Sequence, residues 1–247
     1  MGVLDGKGAV VTGGSRGIGR AIVQRLATDG ATVVFNYARR ADRAAEVEQA
    51  VRHAGGRTYG FQIDLATSGA ADKLMAVADE HLDGLDILVN NAVVTFSSRA
   101  IVDTDEEHYD STMTVNAKST FLTMRYAAHA MRDYGRIINI STILTTRPAP
   151  FSASYAASKG AIEQLTKVAA LELGNRGITV NAIRPGATDT DFLRNANSAA
   201  ALEQVVKWTS MGRLGQPDDI ADIVALLAGH EGRWLTGQII DATGGLT

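Results

Sequence analysis

The chain has 247 residues, 45% apolar and 21% charged, with a formal charge of -3; this is the balance of a globular protein and excludes a disordered one. Lys and Arg are scattered, so neither nucleic acid nor an anionic membrane is suggested as a partner, and the length suits one α/β domain over 1–247. Cysteine is absent, which excludes disulfides and thiolate catalysis, and the five histidines form no pair such as HExxH, so no metal site is expected.

From the amino end, Val- and Ile-rich runs alternate with stretches of helical apolar spacing. A strand at 9–12 leads into Thr12-Gly13-Gly14-Ser15-Arg16-Gly17-Ile18-Gly19 and a helix over 17–29. Glycines 13, 17 and 19 allow a tight turn and close approach of a pyrophosphate, whose charge suits the N–H groups of a helix start. The next strand, 32–37, ends without the carboxylate that would hold an adenosine ribose 2′-hydroxyl. Asn36 or Tyr37 stands there instead, followed by Arg39 and Arg40. With Arg16, three guanidinium groups are available to a 2′-phosphate, so NADP(H) is preferred over NAD(H).

Helices are predicted over 42–54, 68–81 and 105–131, with strands at 58–62, 87–90 and 136–141 between and after them. A helix over 154–173 carries Tyr155 and, one turn on, Lys159. A free phenol has a pKa near 10; the neighbouring ammonium, with the charge of an oxidised nicotinamide, is expected to bring it closer to neutrality, making Tyr155 a proton donor or acceptor beside a carbonyl carbon that exchanges hydride. A strand at 179–184, a helix over 217–228 and a strand at 238–241 complete the pattern. The poorly periodic stretch 188–215 follows the sixth strand, where ligands bind in open sheets, and reads as a substrate lid. Phe192, Trp208 and Met211 within it are candidates for an apolar pocket, though such residues more often simply pack. Seven strands with helices between them predict a Rossmann-type doubly wound parallel sheet covered on both faces. The start lacks a signal-peptide pattern and no apolar run approaches a membrane span, so a cytoplasmic protein is expected.

Nearly the whole chain resembles the short-chain dehydrogenase/reductase family, including its 3-oxoacyl-carrier-protein reductases. The glycine turn is similar to TGxxxGxG, Asn90-Asn91-Ala92 to NNA, Tyr155-Ala156-Ala157-Ser158-Lys159 to YxxxK, and Pro185-Gly186 to the PG segment beside the nicotinamide. The resemblance implies that Gly13, Ser15, Arg16, Gly17, Ile18, Gly19, Asp64, Leu65, Asn91, Ala92, Pro185, Gly186, Thr188 and Thr190 line the cofactor, with Tyr37, Arg39 and Arg40 at its adenosine end. It implies that Lys159 also holds the nicotinamide ribose, and that Asn116 interrupts its helix and acts through its backbone in a proton relay. The family's substrate-polarising serine, thirteen residues before the tyrosine, falls on Thr142, with Ser141 as the alternative. Val93 stands where the family usually has glycine, which bears on the substrate. The small residues Ala156, Ala157, Gly160 and Ala161, with the apolar 223–227 stretch, suggest a homotetramer. The leading expectation is an NADPH-dependent reductase of a small carbonyl compound. The alternatives are an NAD-linked alcohol or sugar dehydrogenase working toward oxidation, and a nucleotide-sensing regulator of the same fold.

Overall fold

A computed structural model describes residues 2–94 and 98–246. In β1 (Gly8–Val11), Ala9 and Val11 enter one apolar layer while Val10 enters the other, and none of the three is exposed. Side chains alternate along a strand, so a strand apolar at every position must be covered on both faces. The other strands are β2 (Thr32–Tyr37), β3 (Arg57–Gln62), β4 (Leu85–Asn90), β5 (Met131–Ile140), β6 (Thr179–Pro185) and β7 (Ile239–Ala242). They form one parallel sheet in the order β3-β2-β1-β4-β5-β6-β7.

One face, with Val33, Phe35 and Ile138, is covered by α1 (Gly17–Thr28), α2 (Ala41–His53) and, from the far end of the chain, the helix Pro217–Ala228. The opposite face, with Val34, Leu88 and Ile137, meets α3 (Ala70–His81) and two helices described below. Each fully buried Ile, Leu or Phe stabilises the fold by about 1.5–3 kcal/mol. Because the strand order reverses between β1 and β4, the loops leaving these two strands part and open a crevice at the carboxyl edge of the sheet.

The single helix expected over 105–131 is three pieces: α4 (Glu106–Met113), a π turn (Thr114–Lys118) and α5 (Ser119–Ala130). The π turn turns Asn116 inward, where it is completely buried. The strand that follows begins at Met131, earlier than expected. Its pairing with β4 jumps from Leu85–Met131 to Ile87–Arg136, and Tyr134 within the jump has φ 63°. The catalytic-helix candidate is α6 (Ala153–Leu173). The lid stretch is not irregular: it contains α7 (Asp191–Ala196) and α8 (Ala199–Trp208), capped by the side chains of Thr190 and Ser198, ahead of α9 (Pro217–Ala228). Among the described residues no helix is long and apolar enough to cross a membrane.

Candidate active site

The crevice is closed at its base by side chains at the ends of β1, β2 and β4. Thr12 accepts hydrogen bonds from the N–H groups of Asn91 and Ala92, both 2.9 Å, while the Asn91 amide donates to the Thr12 and Gly13 carbonyls at 3.0 and 3.1 Å. Asn36, 3% exposed, accepts from Gly13 N–H at 3.0 Å and donates to the Ile63 carbonyl at 2.8 Å. Asn36 therefore shapes the glycine turn and does not stand where a ribose-binding acid would; half-buried Tyr37 is the residue left at the strand end.

Two glycines show why the turn has this composition. A Cβ on Gly19 would lie 2.2 Å from the Gly13 carbonyl oxygen, and Gly17 has φ 52° with the Thr190 methyl 3.2 Å from where its Cβ would be. The lid thus begins against the turn. Among the described residues no side chain caps α1, so its first N–H groups face the crevice, a donor set that fits an anionic pyrophosphate. Arg16 and Arg39 are exposed at its rim. The Arg40 guanidinium spans Asp42 at 2.9 and 2.6 Å, which holds that carboxyl down to about 2. Asp64, exposed, accepts from the Ala66 N–H at 3.0 Å, next to buried Leu65.

On α6 the i, i+4 spacing sets the Lys159 Nζ 5.9 Å from the centre of the Tyr155 ring. Lys159 is 2% exposed and donates to the Ile140 carbonyl at 2.7 Å; burial pushes it down to about 8. The chain's own contribution to the acidity of Tyr155 runs the other way. Surrounding protein strips water from the phenol and pushes it up to about 12, opposed by a hydrogen bond with Thr142.

Thr142 and Ser141 part as neighbours at a strand end must. Thr142 bonds Tyr155 and accepts from the Leu144 N–H at 3.3 Å, while the Ser141 hydroxyl donates to Glu163 at 2.6 Å. Asn116 lies in the π turn that interrupts its helix. Its side chain accepts from Val94 N–H at 3.0 Å and donates to Ser158 at 2.9 Å, tying the loop after β4 to α6, and its carbonyl accepts the Thr120 hydroxyl at 2.8 Å.

Beyond β6, Pro185 is buried and Gly186 half-buried, and buried Thr188 bridges to Gly215. The Phe192 ring lies 6.1 Å from that of Tyr155, tilted by 42°. Trp208 and Met211 are 61% and 70% exposed and face solvent instead of a pocket. Val93 and Val94 are half-buried; residues 95–97 lie outside the described residues. A small cavity beside Tyr155 is lined by Val94, Arg99, His108, Thr112 and Phe151.

Glu163 and Arg184 escaped the sequence reading. Glu163 is 6% exposed and accepts from Ser141, Thr145 and both arms of Arg184. The available signal was a charge interrupting each of two otherwise apolar runs, Ala161-Ile162 before Glu163 and Ala182-Ile183 before Arg184.

A family model described as Enoyl-(Acyl carrier protein) reductase matches residues 13–247. A solved short-chain dehydrogenase/reductase of Serratia marcescens is 41% identical, with a TM-score of 0.94 and 98% of each chain covered. The angucycline C-6 ketoreductase LanV, solved with bound NADP, is also 41% identical, with a TM-score of 0.93 over 99% of this chain and 97% of that one. A probable tetrahydroxynaphthalene reductase of Zymoseptoria tritici is 37% identical, covering 98% of this chain and 94% of the relative.

Proposed function

From the premise that this chain belongs to the short-chain dehydrogenase/reductase family of oxidoreductases acting on CH–OH and C=O groups, we propose that it is an NADPH-dependent ketoreductase with Tyr155 as its proton donor. The observation that carries the reading is the pair of joined hydroxyls, Thr142 and Tyr155. NADPH, when bound, supplies the hydride. The glycine turn from Gly13 to Gly19, with Ser15 and Ile18, would hold its pyrophosphate together with Thr188 and Thr190. Arg16 and Arg39, beside Tyr37, would hold the 2′-phosphate, and Asp64 with Leu65 the adenine. Asn91, Ala92, Lys159, Pro185 and Gly186 would hold its nicotinamide end.

Carbonyl reduction needs a proton on oxygen as negative charge develops there. A donor must carry its proton, and burial, which raises the phenol to about 12, keeps it protonated at neutral pH. Thr142 donates its hydroxyl to the same oxygen, its own acceptor side being turned to Leu144 N–H. Lys159, still mostly protonated at neutrality, supports the proton-rich side of the site. Phe192 offers an aromatic wall 6.1 Å from Tyr155, which suits a planar aryl ketone, in keeping with the polycyclic substrates that the names of two relatives imply. The test is transfer of label: with C4-dideuterated NADPH and an aryl ketone, deuterium is expected on the carbinol carbon. NADPH bound but never consumed across a ketone panel would favour a nucleotide-sensing role.

The protein is also proposed to be a homotetramer. Phe121, Val168 and Leu171 lie exposed on α5 and α6, and nothing stands within 4 Å of a Cβ built on Gly160. On the opposite side of the sheet, Leu226 of α9 and Trp234 are exposed, the latter at 94%. Two separate apolar faces are what a dimer of dimers needs. Sedimentation at four times the chain mass is expected, and a monomeric mass would refute it.

A further inference from the structure

We infer that Glu163 and Arg184 form a positioning clamp that holds the Thr142 hydroxyl on Tyr155, an inference that rests on the ketoreductase reading for its catalytic meaning. Four pieces of the site meet at one carboxylate. Glu163 sits on α6 one turn beyond Lys159 and two beyond Tyr155. One of its oxygens takes hydrogen bonds from Ser141 at 2.6 Å, Thr145 at 2.7 Å and the Arg184 Nε at 2.7 Å; the other takes the Arg184 Nη2 at 2.8 Å. Arg184, at the end of β6, immediately precedes Pro185-Gly186 and reaches on to Asp241 of β7 at 3.2 Å.

The two hydroxyls flank Thr142 in the chain. Ser141, one residue before it, is fixed through its side chain by Glu163 and through its N–H by the Ile183 carbonyl at 2.7 Å. Thr145, three residues after it, lies 2.9 Å from the Thr142 carbonyl as well as 2.7 Å from Glu163. The short turn that carries Thr142 is therefore pinned at both ends to the helix that carries Tyr155. Burial alone would push the Glu163 carboxyl up, but the bonds from Arg184, Ser141 and Thr145 hold it below its usual range, so it stays a charged acceptor.

Stability does not account for this arrangement. A buried ion pair replaced by well-packed apolar residues often leaves a fold as stable or more so, because two desolvation costs vanish together. What an apolar pair cannot do is accept two hydroxyls and set the turn between them. A displacement of Thr142 by about 1 Å is enough to lower a rate by about 100-fold.

The experiment pairs kinetics with a readout independent of turnover, the 13Cζ resonance of Tyr155 in protein labelled at tyrosine and assigned with Tyr155→Phe. In the double variant Glu163→Leu with Arg184→Leu, the melting temperature is expected to recover relative to Glu163→Leu alone. Its kcat for ketone reduction is expected to stay down by about 10- to 100-fold, with NADPH affinity within about twofold because the glycine turn and Arg16 are untouched. The Tyr155 resonance is expected to move. Recovery of kcat and of the resonance along with stability would overturn the clamp and leave a merely structural pair. Should the double variant not fold, Ser141→Ala with Thr145→Val leaves the ion pair intact and is expected to move the resonance and lower kcat; no change in either overturns the proposal. Absence of NADPH turnover in the unaltered protein would sink the ketoreductase reading, while the resonance would still decide the clamp.

Discussion

Tyr155→Phe is expected to lower kcat for ketone reduction by about 100- to 10,000-fold, the range associated with loss of a positioned general acid. The change removes one oxygen. The ring stays on the wall beside Phe192, and Lys159 keeps its bond to the Ile140 carbonyl, so the dissociation constant for NADPH is expected to hold within about twofold. Such a split between rate and affinity distinguishes a lost proton donor from a collapsed site. Because the phenol is held near 12, its deprotonation is not expected to limit reduction anywhere in the range where the protein is normally assayed. Turnover unaffected by the substitution would end the assignment.

The second large effect concerns the cofactor. In Arg16→Ala with Arg39→Ala, the affinity for NADPH is expected to fall by about 10- to 100-fold, since charge-assisted hydrogen bonds contribute about 1.5–3 kcal/mol and each 1.4 kcal/mol is tenfold. NADH, lacking the 2′-phosphate, is expected to bind as before. Arg40→Ala is the internal comparison: its guanidinium already spans Asp42, and a phosphate would have to compete with that carboxylate, so the loss there is expected to be smaller. Both exposed guanidinium groups act in solvent, and the discrimination is expected to shrink as salt is raised. Parallel titrations of the two nucleotides check this; an unchanged NADPH-to-NADH ratio in the double variant would contradict it.

The sheet was legible because its central strands are buried on both faces. Runs such as Val33-Val34-Phe35 have no polar interruption, and the helices between them keep a clear apolar period. The glycine turn was legible for a steric reason, since at Gly19 a side chain would collide with the Gly13 carbonyl. Other features depend on contacts between distant segments and left little trace in local periodicity; the interruption at Asn116 was implied by the family resemblance alone. The π turn at Thr114–Lys118 exists where Asn116 reaches Val94 and Ser158, and its residues fit the spacing of an uninterrupted helix. The helices of the lid are short, which blurs any period, so only their caps, Thr190 and Ser198, carried a signal.

The choice between Ser141 and Thr142 shows the same limit. Alternation requires the two to face apart; Thr142 meets Tyr155, while Ser141 bonds Glu163, twenty-two residues along the chain. The phenol's surroundings were hidden for a related reason. Spacing along a helix reveals the neighbouring ammonium; it does not reveal how much protein closes over both groups, and burial is the largest cause acting on each of them.

The central claim is that the substrate oxygen sits between two hydroxyls, with the phenol as its proton donor. A crystal structure with NADP and the alcohol product measures this directly. The account predicts the product oxygen within hydrogen-bond distance of both Tyr155 Oη and Thr142 Oγ1, with its carbinol carbon against the nicotinamide. A product oxygen held by Ser141 or by residues of the lid, away from the phenol, would contradict it.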